Sequence, residues 1–147
     1  MSPDEVFQNP EAGANCQLLV VALVRARGYD LPALRSAELF ADEDFTQVVP
    51  DVAEAQDGDI IALTRMGQTD PRFFHVGLLS RDEQGELLLT HNARHVGMAR
   101  TEPLAEAMKH PLHELIAWLK RPVIPNPTLL NPTFLEVHNF GHLTRAL

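Results

Sequence analysis

Between Asn15 and Gly28 the chain carries an unbroken apolar run, Leu18-Leu19-Val20-Val21-Ala22-Leu23-Val24, entered through Cys16-Gln17 and left through Arg25-Ala26-Arg27. Apolar side chains on nearly every side of two helical turns describe a helix buried on several sides rather than an amphipathic surface helix. The remainder of the fold must therefore be built around it. Asn15 is a good N-cap residue, and Gly28 after two basic residues is a C-terminal stop, so the expected helix runs between them. With 147 residues and 45% apolar content, one globular domain with a real core is expected.

After Tyr29-Asp30-Leu31-Pro32 a shorter helix is expected over Leu34 to Phe40, and Val48-Val49-Pro50-Asp51 reads as an irregular approach to the next element. From Asp57 the apolar period changes from helical to two. The turn Asp57-Gly58-Asp59 leads into a strand at Ile60-Ile61-Ala62-Leu63-Thr64, and a second strand is expected from Phe73 to Ser80. The polar stretch Arg81-Asp82-Glu83-Gln84-Gly85 makes a hairpin turn, Leu87 to Asn92 returns, and His95 to Arg100 adds another strand. Thr101-Glu102-Pro103 opens a short helix through Met108 with proline in its first turn, and Leu112 to Leu119 forms a last strand. Helices first and an antiparallel meander afterwards predict an α+β domain with the helices on one face of the sheet. The predicted domain covers residues 1–121. Residues 122–147 hold several prolines, including the steps Asn126-Pro127 and Asn131-Pro132, among apolar residues such as Leu129, Leu130, Phe134 and Phe140. That composition predicts an extended tail docked on its own domain or on a neighbouring subunit, the one route to a homo-oligomer that the sequence suggests.

The charge balance, 12 Lys plus Arg against 20 Asp plus Glu, gives −8 with no basic cluster, which argues against a nucleic-acid partner. A single cysteine rules out an intramolecular disulfide and any multi-cysteine metal site. Met-Ser-Pro-Asp-Glu offers no basic n-region or apolar h-region, and no stretch reaches the ~18 apolar residues of a membrane span, so a cytoplasmic location without membrane contact is expected.

The lone thiol stands where sulfur chemistry would use it. At a helix N-terminus the macrodipole favours thiolate over thiol. A cysteine nucleophile needs a base and a polar group to orient that base. His75 and His91 flank the predicted hairpin at equal parity. With the turn centred near Glu83, position 79 faces 87, 77 faces 89 and 75 faces 91, which puts the two imidazoles side by side on one sheet face. A two-residue change in loop length makes them diagonal neighbours, and a one-residue slip puts them on opposite faces, in which case Asn92 takes over the orienting role. Packing of the buried helix on the sheet would bring Cys16 to His75, with His75 as base and His91 as the group holding its ring.

In these segments the chain resembles the NlpC/P60 cysteine peptidases, a papain-like family whose triad is Cys, His and a further polar residue, usually His. Asn15-Cys16-Gln17-Leu18-Leu19-Val20 resembles the family's Asp-Cys-Ser-Gly-Phe-Val helix start, and Gly28-Tyr29-Asp30-Leu31-Pro32 its Gly-Ile-x-Leu-Pro. Asp57-Gly58-Asp59-Ile60-Ile61 is similar to Pro-Gly-Asp-Leu-Val, His75-Val76-Gly77-Leu78-Leu79 to His-Val-Gly-Ile-Tyr, and Leu89-Thr90-His91-Asn92-Ala93 to Ile-His-Ala-Ser. The five motifs stand in the family's order over residues 13 to 119. Asn15 replaces the usual Asp, Gln17 replaces a small residue, and the upstream Tyr-x-Trp-Gly-Gly stretch is absent.

The resemblance implies a papain-like fold with the helix carrying Cys16 packed on an antiparallel sheet, and catalysis by Cys16, His75 and His91. The implied reaction is hydrolysis of an amide in a short peptide through an acyl-thioester, with the Cys16 N–H contributing to an oxyanion hole. A γ-D-glutamyl-diamino acid linkage of cell-wall type is the implied substrate. The same thioester would serve an acyltransferase or deamidase, and a non-catalytic binding or assembly module is the reading from a different class. Asp59 reads as a turn residue. No metal or cofactor is expected: His91 and His95 have the spacing of a helical zinc pair but fall in strand, and His110 and His113 lack an evident third ligand.

Overall fold

The structure, a computed structural model, describes residues 14–93 and 98–126. Helix α1 spans Ala14–Ala26. Asn15 lies inside it rather than capping it, because Ala14 already takes the helical conformation. At the other end Gly28, at φ +91°, donates to the Arg25 carbonyl at 2.9 Å while Tyr29 N–H reaches Val24 O at 3.3 Å. These two bonds are the Schellman closure, whose left-handed residue favours glycine.

Helix α2 spans Ser36–Ala41, beginning two residues later than the sequence suggests. Its entry is held by Glu38, whose Oε1 accepts the Arg35 N–H at 2.8 Å. A short strand β1, Thr46–Val48, overlaps the segment expected to be irregular at Val48 and was not foreseen. Three residues are too few to show a period, and pairing with the last strand rather than propensity creates it. Strand β2, Ile60–Thr64, has the predicted bounds; β3 is His75–Arg81, β4 Leu87–Ala93 and β5 Met98–Pro103. A short helix α3, Leu104–Ala107, precedes β6, Leu115–Pro122. Phe73, expected in β3, instead ends a 3-10 turn over Pro71–Phe73. The strand expected at His95 to Arg100 overlaps β5 only in part, and residues 94–97 lie outside the described ones. Its pairing continues to Pro103, which an edge strand tolerates.

All pairs are antiparallel, in the order β1-β6-β2-β3-β4-β5. This α+β sheet is covered on both faces, which corrects the expectation of helices on one. Ile60, Ala62, Val76, Leu78 and Trp118 pack with Val20, Val21 and Val24 of α1 and with Leu31 and Leu39. On the opposite face Ile61, Leu63, Leu79, Leu89 and Leu119 pack with Leu104 and Ala107 of α3 and with Val49 and Ala55. The reason is visible in β2, where every residue is buried. A continuous Ile-Ile-Ala-Leu run serves two cores at once, where a half-buried strand would alternate.

The hairpin register is Leu78 with Thr90, Leu79 with Leu89, Ser80 with Leu88 and Arg81 with Leu87. Continuing it sets His91 opposite Gly77 rather than opposite His75. The histidines keep equal parity but are diagonal neighbours. Beyond β6, Val123 N–H bonds Phe45 O, Tyr29 bridges Pro125, and Asn126 N–H bonds Gly28 O at 2.7 Å. Most of the segment 122–147 expected to dock as a tail lies outside the described residues. Among the described residues no helix is long and apolar enough to cross a membrane.

Candidate active site

Cys16 occupies the first turn of α1, where the positive end of the helix dipole acts. The following apolar turns fix it against the sheet. His75 is the first residue of β3, and the chain leading to it is tied down at each step. Asp70 accepts the Arg72 N–H at 3.0 Å and so caps the 3-10 turn that Pro71 opens. Ser36 Oγ donates to the Phe74 carbonyl at 3.3 Å, and the Phe74 ring packs edge-on against Phe40 with centroids 6.2 Å apart. His75 thus enters the strand from a backbone anchored on both sides.

Four side chains from four elements then meet in a line. Cys16 Sγ lies 3.2 Å from His75 Nδ1. His75 Nε2 lies 2.7 Å from His91 Nδ1, and His91 Nε2 lies 2.7 Å from Glu102 Oε2. Cys16 and His75 keep 5% and 8% of their surface and the Glu102 side chain 14%, against 1% for His91, so the middle of the line is closed and its two ends are the less covered parts. The Asn92 side chain is not the group that meets His75; its backbone carbonyl lies 3.9 Å from Cys16 Sγ. Every site residue expected from the sequence, Cys16, His75 and His91, is therefore in contact with the next. Asp59, read as a turn residue, is a buried carboxylate at the far end of β2, bound by Arg121 through Nε at 2.8 Å and Nη2 at 2.9 Å. That pairing holds the Arg121 guanidinium above its ordinary pKa, against the opposing effect of burial.

Two residues of the site were not foreseen. Glu102 sits on β5, where Leu89 is its direct partner and His91 pairs with Arg100, so it reaches His91 diagonally. Extending the meander by one more strand at the parity of His91 would have found it; reading Thr101-Glu102-Pro103 as a helix start hid it. His113, from the loop between α3 and β6, stacks on His75 with centroids 4.1 Å apart and planes 13° apart, and His110 stacks on His113 in turn at 4.8 Å. No sequence period leads to a loop contact of this kind. His95 lies outside the described residues. Among the described residues no group of three or more His, Cys, Asp or Glu side chains is arranged to hold a metal ion.

The arrangement has a definite chemical capability. A thiol against an imidazole nitrogen at 3.2 Å can pass its proton across that contact, and a second imidazole and a carboxylate behind it can steady the charge that results. Comparison with known proteins finds no matching family model, no significantly similar curated protein and no significantly similar solved structure. The functional reading therefore rests on these four side chains.

Proposed function

We propose that the protein is a papain-like cysteine amidohydrolase of NlpC/P60 type that cleaves an amide bond in a short peptide. The observation that carries the reading is the Cys16 Sγ to His75 Nδ1 contact of 3.2 Å, backed by His91 at 2.7 Å. His75 Nδ1 takes the thiol proton as the sulfur attacks the substrate carbonyl, and the same proton goes to the nitrogen of the leaving amine. The C–N bond breaks and a thioester on Cys16 remains. His75 next deprotonates a water that attacks the thioester carbonyl, and the proton returns to sulfur as the carboxylic acid leaves. By the sequence resemblance the favoured substrate is a γ-D-glutamyl-diamino acid linkage of cell-wall type.

The test is incubation of wild type, Cys16→Ala and His75→Ala with L-alanyl-γ-D-glutamyl-diaminopimelate and a panel of short amides, read by mass spectrometry. Wild type is expected to release the amine product; Cys16→Ala is expected to show none, and His75→Ala a loss of about 10²–10⁴-fold in rate. A product carrying an added amine would make the protein an acyltransferase, and release of ammonia a deamidase. Peptide binding retained by Cys16→Ala with no turnover by wild type would replace the enzyme with a binding module.

A further inference from the structure

We propose that Glu102 is a fourth member of the site and that its carboxylate sets the direction in which every proton in the line points. The inference rests on the Cys16–His75 reading for its catalytic consequence, but the proton arrangement itself can be tested without any turnover.

A carboxylate accepts hydrogen bonds and does not donate them. With Glu102 Oε2 at 2.7 Å, His91 Nε2 must carry the hydrogen of that bond. A neutral imidazole with hydrogen on Nε2 has a lone pair on Nδ1. The 2.7 Å contact to His75 then requires His75 Nε2 to donate, which leaves a lone pair on His75 Nδ1 facing the sulfur at 3.2 Å. That lone pair is what a base needs in order to take the thiol proton. Once it has done so, His75 carries hydrogen on both nitrogens, and His91 and Glu102 need not rearrange. Reversing the line, with hydrogen on His91 Nδ1, would make His75 Nε2 the acceptor and turn an N–H of His75 toward the thiol, where it could accept nothing. Glu102 is thus a positioning residue: it touches His91 and acts on Cys16 only through two rings.

The surroundings suit the role. The Glu102 side chain keeps 14% of its surface, and its other oxygen lies 3.8 Å from Arg100 Nη2. Among the described residues, His113 stacks on His75 and His110 stacks on His113. Both belong to the loop before β6 and are unchanged by substitution at position 102.

The experiment has two readouts on the full chain. Long-range ¹H–¹⁵N correlation spectra of wild type report which ring nitrogen of each histidine holds hydrogen, and His91 is expected with hydrogen on Nε2 and none on Nδ1. Alkylation of Cys16 by iodoacetamide is then followed from pH 5 to 10 in wild type, Glu102→Gln and His75→Ala, using the shape of each profile because Cys16 is buried. Glutamine keeps the size and a hydrogen bond, but its amide accepts or donates equally well and no longer dictates direction. Its alkylation rate at pH 6 is expected to fall about 10–100-fold while the rate at pH 10, where thiolate forms without help, is unchanged. A merely structural role would move both ends of the profile together. Hydrogen on His91 Nδ1 in wild type would overturn the inference, as would a Glu102→Gln profile superimposed on wild type while His75→Ala still abolishes labelling at pH 6. If wild type itself labels like an ordinary thiol regardless of His75, the hydrolase reading fails, and the histidine spectra still decide the role of Glu102.

Discussion

Gly77 has the smallest side chain beside the site and the least freedom to change. A Cβ built on it would lie 2.5 Å from Leu89 Cδ1, 2.9 Å from the Thr90 carbonyl oxygen and 3.1 Å from His91 Cβ. The leucine methyl can rotate away, but the carbonyl oxygen belongs to the β4 backbone and the His91 Cβ is fixed directly to it, so both move only with the strand. The absent side chain is what lets β3 close on β4 and brings His75 diagonally to His91. Gly77→Ala is expected to cost about 1–3 kcal/mol in urea unfolding. It should also draw His91 away from His75, so that Cys16 alkylation near pH 6 slows. A variant that loses stability but keeps the wild-type labelling profile would show that the two rings meet without help from this spacing.

The corner between α2 and β1 is built on a half-buried carboxylate and a buried ammonium, and each makes stability rise with pH, the first in the acid range and the second in the alkaline. Burial alone would raise the Asp42 pKa, yet the Thr46 hydroxyl at 2.7 Å and the N–H groups of Phe45, Asp44 and Thr46 together hold it below its ordinary value. A carboxyl depressed in the folded state contributes stability at neutral pH that disappears as acidification protonates it. Asp42→Asn should therefore be less stable than wild type by about 2 kcal/mol at pH 7, with the gap closing as pH falls below the ordinary carboxylate range. Lys120 closes the other side of the corner, its ammonium donating to Leu39 O at 2.9 Å and to Asp42 O, the last carbonyls of α2, with the Trp118 ring 5.9 Å away. Burial pushes its pKa down, against the pull of Asp42 and Glu43. The folded state then releases its proton before the unfolded chain does, so stability of wild type relative to Lys120→Met should rise as pH increases towards the ordinary lysine value near ~10.4. A gap that is flat with pH in thermal melts would contradict the shift. Neither residue could be assigned this role from sequence, because the corner depends on a three-residue strand and on a lysine nearly 80 positions away. What could be read was local: β2 between Asp59 and Arg65, the stop at Gly28, and the equal parity of His75 and His91. The pairing missed by two residues because the turn is centred one position later than expected. Asp82 accepts the N–H of Gln84 and of Glu86 and bonds Glu86 through its own backbone, which closes a loop over residues 82–86. Glu102 and His113 reach the site from a later strand and a loop, where no period announces a contact.

The polar groups of the molecule form two clusters set apart across the strands of the sheet. His75 pairs with Leu63 at one end of β2, and from there the line runs diagonally across β3, β4 and β5, with His91 in the row of Gly77 and Ile61 and Glu102 in the row of Leu89 and Leu79. In the other cluster Asp59 holds Arg121, Arg81 Nε bonds Ala55 O at 3.0 Å, and Arg27 Nη2 bonds Asp57 O at 3.3 Å. Arg121 on β6 stands three strand spacings from His91 on β4, about 14 Å at the usual interstrand distance. The far cluster has no titrating partner near the sulfur, so its contribution should be to stability alone. Arg121→Ala leaves the Asp59 carboxylate buried without its counter-charge and is expected to cost about 3 kcal/mol, while the pH profile of Cys16 alkylation stays as in wild type. His91→Ala should do the reverse at the site, changing the profile whatever it does to stability. Because the two substitutions are farther apart than the range over which neighbours couple, the unfolding free energy of the double variant should equal the sum of the single effects within ~0.5 kcal/mol. A coupling well above that value, or an altered labelling profile in Arg121→Ala, would mean that the sheet transmits strain from one cluster to the other. The site would then depend on the whole sheet rather than on the four elements that meet around it.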